Sequence, residues 1–172
     1  MPHFHQTTET KPIVPHMIPK QEQKPITRII VTCDSNTCRS AILAKMLMTT
    51  LSKISLTTAR PRIENAAVIN GSSIGEPAKR DAAAYVQKHH GISLSGHRAK
   101  HLSSLNPCGT DLVVIVEAVH ETFVSGQHPG IRILLVRRGK GIDNPYDEDS
   151  PDFARMVRQI SEAVTEIAAM LQ

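Results

Sequence analysis

Cys33 and Arg39, separated by five residues, end the core of the run Cys33-Asp34-Ser35-Asn36-Thr37-Cys38-Arg39-Ser40. A nucleophile and a cation at that spacing suit phosphoryl transfer. A loop of this length can wrap an oxyanion, turning backbone N–H groups inward while the next helix adds the positive end of its dipole. A thiolate at one end then faces phosphorus, and the guanidinium at the other grips two oxygens bidentately. Positive surroundings favour thiolate over thiol and make a cysteine nucleophilic at neutral pH. Asn36 fits mid-loop because tight anion loops need a positive φ, which Asn tolerates. Ser40 is placed to hydrogen-bond the sulfur and stabilise it as a leaving group. The competing reading of Cys33 is a small buried hydrophobe.

The elements around this run decide between the two. Arg28-Ile29-Ile30-Val31-Thr32 is a short β-branched run, the signature of a strand covered on both faces. Residues 40 to 54 place Ile42, Leu43, Met46, Leu47, Leu51 and Ile54 at helical spacing. The reactive run therefore joins a strand to a helix. Residues 62 to 69 predict a second strand, and Ala78 to His90 a helix stopped by Gly91. Leu112 to Val116 and Ile131 to Val136 predict two more strands, with a short helix near 118 to 125 between them. Ser150-Pro151-Asp152 reads as a helix start with a hydroxyl cap, followed by an apolar stripe from Phe153 to Leu171. Alternating β and α segments imply an α/β domain, a parallel sheet with helices on both faces. The reactive loop then lies at the carboxyl end of the first strand, where ligands of such sheets bind.

Composition narrows the function classes. The 172 residues, 40% hydrophobic and 21% charged, match one globular domain. No run approaches the ~18–20 apolar residues of a membrane span, so no membrane insertion is expected. Three cysteines, Cys33, Cys38 and Cys108, do not make a secreted disulfide scaffold, and a reduced, cytoplasmic protein is the default. They and the scattered histidines lack the clustering of a structural zinc site, so no metal and no cofactor are expected. The sequence pI near 9.1 invites a nucleic-acid reading. The net charge is only +4 and aromatics are 3%, so stacking platforms are scarce and no nucleic-acid partner is expected. Residues 1 to 25 carry five of the eleven prolines and read as a flexible tail before a domain at 26 to 172. Oligomeric state is not legible.

The reactive run resembles the phosphate loop of the low-molecular-weight protein tyrosine phosphatases, whose pattern is Cys-x-x-Asn-x-Cys-Arg-Ser. The resemblance extends over about residues 27 to 171, through Asn65-Ala66-Ala67-Val68, Gly75-Glu76-Pro77-Ala78, the segment Gly91 to Ala99, Asp111 to Glu117, and Asn144-Pro145-Tyr146. It implies a central four-stranded parallel sheet with the phosphate loop after the first strand. It also implies hydrolysis of a phosphorylated protein or small phosphomonoester through phosphocysteine, without a metal. By position, Cys33 is the nucleophile and Arg39 the phosphate clamp within a loop of residues Asp34, Ser35, Asn36, Thr37, Cys38, Arg39 and Ser40. Asn65 and His97 join Asn36 and Ser40 in supporting the loop, and Tyr146 walls the substrate. The segment at Gly91 to His97 resembles the branch paired with bacterial tyrosine kinases of polysaccharide export, which points to phosphotyrosine.

Four departures bear on catalysis. Asn144 stands where the family has its general-acid Asp, and an amide cannot protonate a leaving phenolate, a transfer contributing ~10²–10⁴ in rate. Asp143, one residue earlier, is the best candidate acid in its place. Asp34 and Ser35 replace a neutral residue and Gly, and the Asp34 carboxylate would oppose a thiolate and a phosphate dianion unless it points outward. Ala41 replaces Pro, and the aromatic walls are thin. Thr37 resembles the small polar residue of protein arginine phosphatases. The alternatives are thus an arginine-phosphatase-like enzyme or a degenerate module that binds a phosphorylated ligand without turnover. A two-cysteine redox relay is not expected, since only Cys108 lies outside the loop. Cys38 is near enough in sequence to protect Cys33 through a reversible disulfide.

Overall fold

A computed structural model describes residues 24–69 and 71–172; the expected tail lies outside these except for its last two residues. Eight regular elements alternate as β1 (Arg28–Cys33), α1 (Arg39–Ser52), β2 (Arg62–Ala67), α2 (Arg80–His90), β3 (Asp111–Ile115), α3 (Val119–Gln127), β4 (Arg132–Leu135) and α4 (Phe153–Met170). The four strands form one sheet in the order β2-β1-β3-β4, every neighbouring pair parallel. The predicted elements are all present, with ends displaced by a few residues.

Strand period 2 sends alternate side chains of β1 to opposite faces. Ile29, Val31 and Cys33 join Leu112 and Val114 against Ile42, Leu43 and Leu47 of α1 and Met156, Ile160 and Ile167 of α4. Ile30 faces the other way, into a smaller cluster with Val113, Ile115, Leu102 and Val124 of α3. Full burial of each such aliphatic side chain is worth about 1.5–3 kcal/mol, so both faces of β1 are fixed by packing. Cys33, the last residue of β1, inherits its direction from that register.

Helix ends follow local chemistry. Gly91 takes φ 64° and returns its amide to Gln87 O, while Ile92 N reaches Val86 O, a left-handed stop for α2. At α4 the cap is the Asp152 carboxylate, which accepts from Arg155 N at 2.9 Å, not the Ser150 hydroxyl the sequence suggested. The carboxylate sits one residue before the first helical turn, the position where a side-chain oxygen meets the open amides. Among the described residues, no helix is long and apolar enough to cross a membrane.

In this strand order the chain leaves β1 and β3 toward opposite sides of the sheet, opening a crevice at their carboxyl ends. The Cys33–Ser40 run and Glu117 both emerge there.

Candidate active site

The carbonyls of the loop point outward into protein donors. Asp34 O accepts from Ile69 N at 3.2 Å, and Thr37 O accepts from Lys79 N at 2.8 Å. Ser35 O accepts from the Ser73 hydroxyl at 2.7 Å and Asn36 O from His97 Nε2 at 2.6 Å. In a trans peptide the N–H lies opposite the carbonyl, so the amides of Ser35, Asn36, Thr37 and Cys38 are turned inward. Those four amides meet no protein acceptor among the described residues. The N-terminus of α1 has no side-chain cap and no acidic residue in its first turn. Inward donors and an uncapped helix start are together an arrangement that can receive an anion.

One residue carries the loop's shape. Asn36 has φ 58° and is fully buried. Its Nδ2 donates to Ser40 Oγ and to Asn65 Oδ1, both at 2.8 Å, and its Oδ1 accepts from Lys100 N at 3.0 Å. Cys33 Sγ lies 3.0 Å from Ser40 Oγ. The structure thus brings Asn36, Ser40, Asn65 and His97 into one hydrogen-bonded cluster ending on the Cys33 sulfur. His97 is not a water-facing loop residue: its bond to Asn36 O places the ring proton on Nε2.

Arg39 is 3% exposed and its terminal nitrogens are engaged. Nη1 donates to Glu117 Oε1 and, at 2.8 Å, to Ile142 O; Nη2 donates to Asp34 Oδ2 at 3.2 Å. Nε takes no part in these contacts. Asp34 therefore does not point outward. Its Oδ1 accepts from His120 Nε2 at 2.6 Å. That bond, with Arg39 adding to it, holds the Asp34 carboxyl below the usual carboxylate range despite partial burial. Asp34, Glu117 and His120 bring three metal-type ligand atoms within 4.8 Å of one another. Both carboxylates are already paired with Arg39, so the cluster reads as the clamp of a guanidinium. Gly141 lets Ile142 reach this position: its φ is 69°, and a Cβ there would lie 2.4 Å from Val116 O.

A cavity of about 460 Å³ adjoins the clamp, lined by Glu117, Ile142, Asp143 and Asn144 among others. Asp143 is engaged by side chains of α4. Its Oδ2 accepts from Gln159 Nε2 at 2.7 Å and from Arg155, which together hold its carboxyl below the usual range. Asn144 Oδ1 accepts from Tyr146 N at 3.2 Å, capping the short turn Pro145–Asp147. Tyr146 donates its hydroxyl to Asp81 at 2.6 Å, with Lys79 Nζ 4.5 Å from its ring centre. Burial, followed by the bond to Asp81, drives its phenol pKa upward. Burial likewise pushes the Cys38 thiol up to about 12, its sulfur facing Met156 Sδ at 3.7 Å.

Sequence reasoning missed His120, Arg155 and Gln159 and gave Glu117 no role. Glu117 had a readable signal, a carboxylate just past the carboxyl end of the strand beside the reactive loop. His120 had none, because only the packing of α3 brings it to Asp34.

Residues 28–172 match the family model described as low molecular weight phosphotyrosine protein phosphatase. The chain is 27% identical over 143 residues to the "Probable low molecular weight protein-tyrosine-phosphatase EpsP" of Ralstonia nicotianae, covering 81% of this chain and 92% of that one. It is 28% identical over 148 residues to the low molecular weight protein-tyrosine-phosphatase Etp of Escherichia coli K12, covering 83% and 93%. Among solved structures, Vibrio vulnificus Wzb in complex with benzylphosphonate superposes with a TM-score of 0.72 at 24% identity, over 85% of this chain and 99% of that one.

Proposed function

This chain belongs to the low molecular weight phosphotyrosine protein phosphatase family, a family of phosphatase enzymes, and on that premise we propose that it hydrolyses phosphomonoesters through a phosphocysteine. The observation that carries this reading is the loop whose carbonyls face outward and whose four amides face inward between Cys33 and Arg39. Cys33 attacks phosphorus, forming an S–P bond as the ester P–O bond breaks. Inward amides and Arg39 hold the three equatorial oxygens, where charge develops. Water then attacks phosphorus, the S–P bond breaks, and the Ser40 hydroxyl stabilises the departing thiolate. No metal takes part in these steps.

The proton for the leaving group comes from solvent, since Asn144 has none to give and Asp143 is held ionised by Gln159 and Arg155. Without a positioned acid the rate lies ~10²–10⁴ below that of an enzyme with one, most of all for poor leaving groups. Phenolates depart more easily than alkoxides, so the reading favours phosphotyrosine over phosphoserine. Kinetics on p-nitrophenyl phosphate, phosphotyrosine, phosphoserine and phosphoarginine across pH 5–8 test it, with Cys33→Ser as the blank. Aryl phosphates should turn over fastest and with a steep dependence on leaving-group pKa. Absence of turnover above the blank removes the enzyme reading; retained tungstate binding would then identify a phospho-ligand binding module.

A further inference from the structure

Asp34 and His120 form a pair that hydrolysis as proposed above does not use. The Asp34 carboxylate spans two elements, with Oδ2 on Arg39 Nη2 of α1 at 3.2 Å and Oδ1 on His120 Nε2 of α3 at 2.6 Å. His120 is fully buried, and its Nδ1 has no partner among the described residues. The ring is thus committed to one function, donation from Nε2. Glu117 and Ile142 O hold the far side of the guanidinium through Nη1. A phosphoryl group seated on the inward amides needs the remaining edge, Nε and Nη2. Asp34 sits on half of it.

We propose that Asp34 is an internal ligand of Arg39 which the phosphoryl group displaces, and that His120 is the donor which retains the displaced carboxylate. The inference rests on the reading of Arg39 as the phosphoryl clamp. A carboxylate beside an oxyanion is repulsive, and the Arg39 contact offsets that only in the free protein. His120 keeps one carboxylate oxygen bonded in both states, so its Nε2–H limits the cost of the exchange. The pair accordingly lowers affinity for every oxyanion that fits the loop, inorganic phosphate included, and favours release of product. Asp34 and His120 are positioning residues here, acting through Arg39.

Calorimetric titration with inorganic phosphate and with tungstate tests this in the full chain carrying Cys33→Ser, so that turnover and thiolate play no part. Asp34→Asn in that background should bind both anions about tenfold more tightly, a modest factor because the carboxylate is half-exposed and screened. His120→Gln, which keeps a side-chain N–H, should stay within about threefold of its parent, whereas His120→Leu should weaken binding about tenfold. Adding Asp34→Asn to His120→Leu should restore the affinity of Asp34→Asn alone, an outcome that general damage to a buried site would not produce. With Cys33 intact, Asp34→Asn should lower KM and the phosphate inhibition constant together. Unchanged or weaker anion binding by Asp34→Asn overturns the proposal. Tighter binding by Asp34→Asn in a protein that never turns over would leave it standing while the hydrolase reading falls. If no variant binds either anion, both fall.

Discussion

Replacing Asn36 with alanine is the most direct test of what holds the loop open. The side chain makes three hydrogen bonds, two from Nδ2 and one to Oδ1, all within buried or part-buried surroundings. At about 0.5–1.5 kcal/mol net each, their loss costs about 1.5–4.5 kcal/mol. Alanine at φ 58° adds about 1 kcal/mol of backbone strain that asparagine largely escapes. The sum, about 2.5–5.5 kcal/mol, is a large part of the 5–15 kcal/mol typical of a domain. It corresponds to a melting point lower by roughly 5–22 °C at this chain length. Urea denaturation and p-nitrophenyl phosphate kinetics on Asn36→Ala, Asn36→Gly and Asn36→Asp separate the contributions. Glycine relieves the φ cost but not the lost bonds, so it should recover about 1 kcal/mol relative to alanine. Aspartate keeps an acceptor for Lys100 N and should fall between wild type and alanine in stability. Activity should drop more than tenfold in the alanine and glycine variants, because the inward amides lose their fixed orientation. A loss below 1 kcal/mol in Asn36→Ala, with activity preserved, would refute the argument that this residue shapes the site.

Two further outcomes follow from the same geometry. Gly141→Ala should lower kcat/KM about tenfold or more while stability falls by about 2 kcal/mol or more, since a Cβ meets the Val116 carbonyl at a positive φ and Ile142 O must leave Arg39; wild-type kinetics in this variant would detach Ile142 from the clamp. The Asp143 carboxyl is depressed in the folded state by Gln159 and Arg155, so its contribution is present above the unfolded carboxyl pKa of ~3.9 and is lost as pH falls through the lower folded value. Melting curves between pH 2 and pH 7 should show a shallower acid decline for Asp143→Asn than for wild type, and turnover at pH 7 should change less than about threefold. A hundredfold loss would instead make Asp143 the proton donor.

The relatives of this chain are named protein-tyrosine-phosphatases. Asn144 and Asp143 lie just past Ile142, whose carbonyl holds Arg39. Asn144 serves there as a local cap for the turn Pro145–Asp147, a task an amide performs as well as a carboxylate. Asp143, the residue before it, is bonded to Arg155 and Gln159 of α4.

The amino-acid order alone determined the alternation of strands and helices, because burial on both faces of β1 and the apolar stripe of α4 are written in local periodicity. It also marked Cys33, Asn36, Arg39 and Ser40, whose roles depend on spacing within one short loop, and the left-handed stop at Gly91. Asn65 and His97 were legible only through resemblance, since each lies far along the chain from Asn36. The tertiary structure alone decided where the charged side chains point. Asp34 met His120 across 86 positions because the packing of α3 carries that ring to the loop, and Arg39 met Glu117 across 78 because Glu117 follows β3, the strand paired with β1. A carboxylate's partner is set by whichever donor folding brings within 3 Å, and nothing in local sequence encodes that distance.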